Sequence, residues 1–140
     1  MPAAVPEDDW RERRADAATE RAAALDRARA KETVRARELI SAFLEVARER
    51  GLEPEPLRAR SYDGRRRYRT GLTGWYLRAN ETVGVDTEGR FYLLSVPAGS
   101  MALLRGVTLE ESDPPMVLGR GARDGESIDL ADALRRVLGD

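Results

Sequence analysis

From Ala36 onward, apolar residues recur at positions 36, 39, 40, 43, 46 and 47, which is the spacing of one helix face. Upstream the pattern thins. Between Asp9 and Leu39, Trp10, Leu25 and Val34 are the only large apolar residues, in an alanine-rich background. Asp9 with Glu12 fits a capping box, and neither Gly nor Pro interrupts the chain from there to Gly51. Gly51 suits a left-handed helix end, Leu52 can supply its hydrophobic contact, and Pro54 and Pro56 prevent continuation. The pattern predicts a helix of about 41 residues, roughly 60 Å long. A heptad register runs through it, with 15, 22, 29, 36 and 43 on one seam and 18, 25, 32, 39 and 46 on the other. Arg29 and Glu32 interrupt it. The helix should therefore pack on a core through its C-terminal half. Its N-terminal half should project into solvent or meet a partner helix through small residues.

After Pro56 the period shortens. Tyr62-Asp63-Gly64-Arg65 is a hairpin signal, Asp-Gly being a favoured two-residue turn. Gly71 and Gly74 are expected to break the chain again. Trp75–Ala79, Thr82–Asp86 and Arg90–Val96 read as three antiparallel strands, with a three-residue Thr87-Glu88-Gly89 turn between the last two. Phe91, Tyr92, Leu93 and Leu94 are apolar on both faces, so their strand should be central and covered on both sides. Ser100–Arg105 predicts one or two helical turns, and Val107–Leu109 and Met116–Leu118 are short candidate strands. Asp129 and Asp132 can cap a last helix with Leu130, Leu134, Val137 and Leu138 as its stripe, ended by Gly139. The fold class is α+β: a long N-terminal helix, a small antiparallel sheet of roughly four to six strands, and a short C-terminal helix. Residues 1–35 are assigned to a flexible lead and the projecting half of the helix, and residues 36–140 to one α+β domain.

Charge changes this picture more than composition does. The net charge of the 140-residue chain is -1, but it is unevenly spread. Residues 58–78 carry seven arginines and one acid, a sum of +6, whereas residues 106–140 carry four arginines and eight acids, a sum of -4. Four of the six Tyr and Trp residues, namely Tyr62, Tyr68, Trp75 and Tyr76, share the basic stretch. If the Asp63-Gly64 turn closes the hairpin, Tyr62 faces Arg65, Arg60 faces Arg67 and Arg58 faces Arg69. All six then lie on one face of the ribbon. Like charges directly opposite one another destabilise a hairpin, and an anion between the guanidiniums would relieve them with bidentate contacts. Tyr62 adds a stacking platform, and Tyr76 with Arg78 can extend the surface. The candidate polyanion site is therefore Arg58, Arg60, Tyr62, Arg65, Arg67, Arg69, Tyr76 and Arg78, with RNA or DNA as the partner. The alternative for these arginines is a solvated face, or pairing with the acidic tail or with Glu53 and Glu55. A second function of a different class is protein interaction or self-association, a homodimer or a partner helix, through residues 10–35.

Other chemistry finds less support. There is no Cys and no His, which removes disulfides, thiolate catalysis and the commonest general base and metal ligand. No catalytic residue, cofactor site or metal site is assigned. Gly119-Arg120-Gly121 followed by Gly125 has the wrong spacing for a dinucleotide loop, and too little chain follows for a doubly wound unit. Asp86, Glu88, Glu110, Glu111 and Asp113 include no candidate base paired with a nucleophile. Trp75-Tyr76-Leu77 resembles the WYL ligand-sensing domain in three letters only, and Trp75 is better placed as a core anchor. The opening MPAAVPEDDW lacks a charged region followed by an apolar one, and no apolar run is long enough for a membrane span. A cytoplasmic location is expected.

Taken as a run, Leu57 through RTGLTGWYLR, VDTEGRFYLL and the closing DGESIDLADALRRVL resembles a family of small actinobacterial proteins to which no activity attaches. The resemblance extends from about Arg35 to the end. It implies an intracellular bacterial origin and brings no cofactor or site residue with it.

Overall fold

A single helix, α1 (Glu7–Glu49), occupies 43 residues. The computed structural model describes residues 7–119 and 126–140. At 1.5 Å per residue α1 is about 64 Å long. It begins before the anticipated cap at Asp9, so Glu7, Asp8 and Asp9 all lie in its first turn, where acids favour the positive end of the helix dipole. It stops as the glycine pattern requires. Gly51 adopts φ 64°, Gly51 N donates to Arg48 O, and Leu52 N donates to Ala47 O at 2.9 Å. These are the paired bonds of a Schellman end, which satisfy carbonyls the helix leaves open.

Only the second half of α1 is buried. Ala36, Ile40, Phe43, Leu44 and Ala47 enter the core, at the spacing of one face. They meet Trp75, Leu77, Val83, Val85 and Phe91. Phe43 packs edge-on against Trp75, with ring centroids 5.4 Å apart and planes at 87°.

These partners come from a five-stranded sheet: β1 (Glu55–Ser61), β2 (Arg67–Tyr76), β3 (Val83–Asp86), β4 (Phe91–Leu93) and β5 (Ser95–Val96). Spatial order is β4-β3-β2-β1-β5. The anticipated all-antiparallel sheet is in fact mixed, because β5 runs parallel to β1. The reason is closure. Only Leu94 separates β4 from β5. Its N–H donates to Thr82 O at 2.8 Å, and its carbonyl accepts from Arg60 N at 2.6 Å. One bent strand thus forms both edges of the sheet, which wraps into a small barrel with no free edge between them.

Strand alternation sorts the side chains. Leu57, Ala59, Ser61, Tyr68, Tyr92 and Leu94 are buried and lie on the inner face by register with Gly84. A Cβ at Gly84 would sit 3.1 Å from Leu94 Cδ1 and 3.4 Å from Leu57 Cδ1. The outer face is divided. Trp75, Val83, Val85 and Phe91 take the helices, whereas Arg58, Arg60, Arg67 and Arg69 lie on the β1–β2 ribbon outside. Phe91–Leu94 was expected to be central and fully covered. It lies instead at the seam, and Leu93 is 55% exposed.

The glycines of β2 do not end it. Gly71 takes φ 73° within an irregularity opposite Leu57 and Arg58. There Thr70 Oγ1 donates to Leu57 O and accepts from Leu72 N. Side-chain hydrogen bonds replace the missing ladder bonds, so one ten-residue strand stands where a break was anticipated.

Beyond the barrel come α2 (Ser100–Arg105), β6 (Val117–Leu118), β7 (Ile128–Asp129) and α3 (Leu130–Leu138). Strands β6 and β7 form a separate two-stranded ladder. Val107–Leu109 is not a strand; a single bond from Val107 N to Arg69 O anchors it. Met116 N donates to Glu32 Oε1 at 3.0 Å, so the acid that interrupts the heptad register ties α1 to the chain entering β6. Asp129 precedes α3 without capping it by its side chain, and Leu130 N donates to Met116 O. Leu130, Ala133 and Leu134 are buried against α1, and Gly139 closes the helix at φ 82°. Among the described residues, no helix is long and apolar enough to cross a membrane.

Candidate polyanion-binding site

The basic ribbon begins with its turn. Ser61 Oγ donates to Asp63 Oδ1 at 2.6 Å, and Arg65 N donates to the same oxygen at 3.0 Å. Ser61 Oγ in turn accepts from Arg66 N. The hydrogen bonds from the Ser61 hydroxyl and then from Arg65 N hold the Asp63 carboxyl below its ordinary pKa. Gly64 takes φ 73°, and Gly64 N donates to Ser61 O. The turn therefore spans Tyr62 to Arg66, between the strand residues Ser61 and Arg67.

Beyond it the register pairs Arg60 with Arg67 and Arg58 with Arg69. The guanidiniums of this ribbon do not behave alike. Arg67 Nη2 donates to Glu81 Oε1 at 2.8 Å, and Arg60 Nη2 lies 3.6 Å from the same oxygen. Arg60 Nε is buried and has no hydrogen-bond partner. Arg69 Nη2 donates to Leu104 O at 2.8 Å, at the C-terminal end of α2, where a cation is favoured. Among the described residues, the guanidiniums of Arg58, Arg65 and Arg66 enter none of these contacts. Tyr62, on the turn, is 71% exposed.

Glu81 is the residue that sequence reading missed. It is the one acid between Asp63 and Asp86, and that isolation was the available signal. Its position depends on the β2–β3 turn. Glu81 N donates to Arg78 O, and Asn80 Oδ1 accepts from both Thr82 N and Thr82 Oγ1. Glu81 itself adopts φ 60° and is the one described non-glycine residue with positive φ, a conformation costly for a residue with a Cβ. A carboxylate thus stands between two facing arginines, where an external anion was anticipated.

Tyr76 and Arg78 are placed differently from the expected surface. Tyr76 faces inward by register with Gly84. Its hydroxyl accepts from Arg58 N at 2.9 Å, and burial raises its pKa. Arg78 Nη2 donates to Glu126 O at 2.8 Å. It lines a cavity of about 360 Å³ with Leu77, Asn80, Ile128 and Arg136, away from the hairpin turn.

Three of the acids considered for catalysis, Asp86, Glu88 and Asp113, are tied into contacts within the fold. Asp86 is buried and accepts from Glu88 N, Arg90 N, Arg90 Nε and Tyr92 Oη. Burial pushes its carboxyl up, but the hydrogen bonds from Arg90 and Glu88, with the Arg90 charge, outweigh it and leave the pKa below its ordinary value. Glu88 pairs with Arg90, and Asp113 with Arg37. Arg120–Gly125, which includes most of the glycine loop, lies outside the described residues.

Comparison with known proteins finds no matching family model, no similar curated protein and no similar solved structure.

Proposed function

We propose that this chain is a non-enzymatic module that binds a polyanion, RNA or DNA before others, on the outer face of the β1–β2 ribbon. One observation carries the reading. Two arginine pairs, Arg58 with Arg69 and Arg60 with Arg67, stand directly opposite one another across the ribbon, and among the described residues a single carboxylate, Glu81, reaches only the second of them. Cross-strand like charges oppose folding, so a fold that keeps four of them needs an offset. Glu81 and the Leu104 carbonyl offset part of it. A row of phosphates would offset the rest with charge-assisted hydrogen bonds.

Arg65 and Arg66 on the turn extend the cationic surface, and exposed Tyr62 offers a face for a base to stack on. Arg58, Arg60, Tyr62, Arg65, Arg67 and Arg69 make up the proposed contact set. Each guanidinium that meets a phosphate releases counterions, so affinity at this ribbon should depend strongly on salt. Fluorescence anisotropy with labelled single-stranded RNA and duplex DNA, between 50 and 200 mM salt (roughly the range over which counterion release is read), tests this. Binding should weaken steeply with salt, and replacing Arg65 and Arg67 by Ala should flatten the slope. Absence of salt-dependent binding to either polymer overturns the proposal.

A further inference from the structure

The first half of α1 is a helix without a neighbour. From Glu7 to Lys31 nearly every residue is exposed, so this half of the helix gains little from tertiary packing, the main source of helix stability in proteins. Trp10, the largest side chain on it, is 53% exposed, with the Arg14 guanidinium 4.0 Å from its ring centroid. At the other end, α1 and α3 leave an open apolar groove of about 280 Å³, lined by Leu39, Phe43, Val46, Leu134, Arg135 and Leu138 among others. Trp10 cannot reach this groove in its own chain, because about 50 Å of helix separates it from Phe43.

We infer that the groove receives Trp10 of a second copy, the two α1 helices running antiparallel. Three features favour this occupant. Trp10, Arg13, Arg14 and Ala17 follow i, i+3, i+4, i+7, and so do the groove residues Leu39, Ala42, Phe43 and Val46 read in the same sense. Each set is one helix face, and in an antiparallel pair Trp10 falls beside Val46 when Ala17 falls beside Leu39. Charge agrees at two positions of this register, where Asp8 falls beside Arg48 and Arg11 beside Glu45, and the acidic first turn nears the groove-lining Arg135, whereas Glu7 falls beside Glu49. A two-fold axis makes the contact self-complementary, so each dimer closes both grooves at once. This self-association uses a surface separate from the arginine ribbon and stands or falls independently of polyanion binding.

The absence of cysteine makes the test direct. Sedimentation velocity on the full chain should show a dimer. Trp10→Ala should raise its dissociation constant on the order of a hundredfold, since two buried anchors are lost per dimer. An equimolar mixture of Arg14→Cys and Ala42→Cys chains, oxidised mildly, should form the mixed disulfide in preference to either homodimer. A chain that stays monomeric at high concentration overturns the inference. So does a dimer unaffected by Trp10→Ala, or one in which Arg14→Cys crosslinks chiefly to itself, the mark of a parallel pair.

Discussion

Arg67 and Glu81 form a 2.8 Å ion pair across the outer face of the barrel, with Arg60 3.6 Å from the same carboxylate oxygen. An intramolecular carboxylate therefore holds the position that the proposed function assigns to a phosphate. A half-exposed pair of this kind adds little to stability, so its main effect falls on binding. Glu81→Gln should tighten polynucleotide binding about fivefold at low salt and steepen the salt dependence by roughly one to two phosphate equivalents. Anisotropy titrations of both proteins against the same oligonucleotide decide it. Equal or weaker binding by the variant would show that Glu81 does not compete with the ligand.

The same residue gives a stability prediction of unusual sign. At φ 60° a glycine loses the Cβ penalty of about 1 kcal/mol that Glu81 bears. Glu81→Gly should therefore leave the melting temperature unchanged or slightly higher despite losing the ion pair. Glu81→Ala loses the pair without that relief and should melt lower than Glu81→Gly. Thermal unfolding of the two variants side by side separates them, and the reverse order would sink the argument.

Asp86 should make the barrel acid-sensitive. Its folded pKa lies below the unfolded one. Its contribution is therefore fully present above the unfolded value, near 4, and is lost as pH falls through the folded value. Asp86→Asn should cost about 2 kcal/mol at neutral pH, because Arg90 and Tyr92 lose a charged acceptor. It should also flatten the acid limb of the stability profile below about pH 4. Urea midpoints measured from acid to neutral pH test this; a variant with an unchanged acid limb would exclude Asp86 as a source of it.

Gly74 marks the closest approach of β2 to β3. A Cβ there would lie 1.9 Å from Val85 O and 2.7 Å from Asp86 Cα, against backbone that the ladder holds in place. Gly74→Ala should destabilise by about 3 kcal/mol, at the upper end for overpacking. Gly99→Ala should be nearly neutral, since nothing lies within 4 Å of its added Cβ. Chemical denaturation of both variants gives the comparison, and similar losses at the two sites would contradict this packing.

Local patterns determined much of this protein. The long helix follows from an uninterrupted run of helix-forming residues closed by Gly51, and its buried positions from the 36, 40, 43, 47 spacing. The hairpin signal at Asp63-Gly64 anticipates the pairing of Arg58 with Arg69 and Arg60 with Arg67, because turn geometry and hydrophobic pattern set register, but the turn spans Tyr62 to Arg66 and Tyr62 is not paired with Arg65. Interactions between distant parts of the chain decided the rest. The parallel return of β5 onto β1 depends on Leu94 bonding Thr82 and Arg60 together, a choice no local period encodes. Gly71 reads as a break until Thr70 supplies the replacement hydrogen bonds. The arginine ribbon is legible from its register, but its division among Glu81, Leu104 and solvent is not. A turn of unfavourable φ carries Glu81 to it from the next hairpin, and α2 carries the Leu104 carbonyl to it from more than thirty residues away.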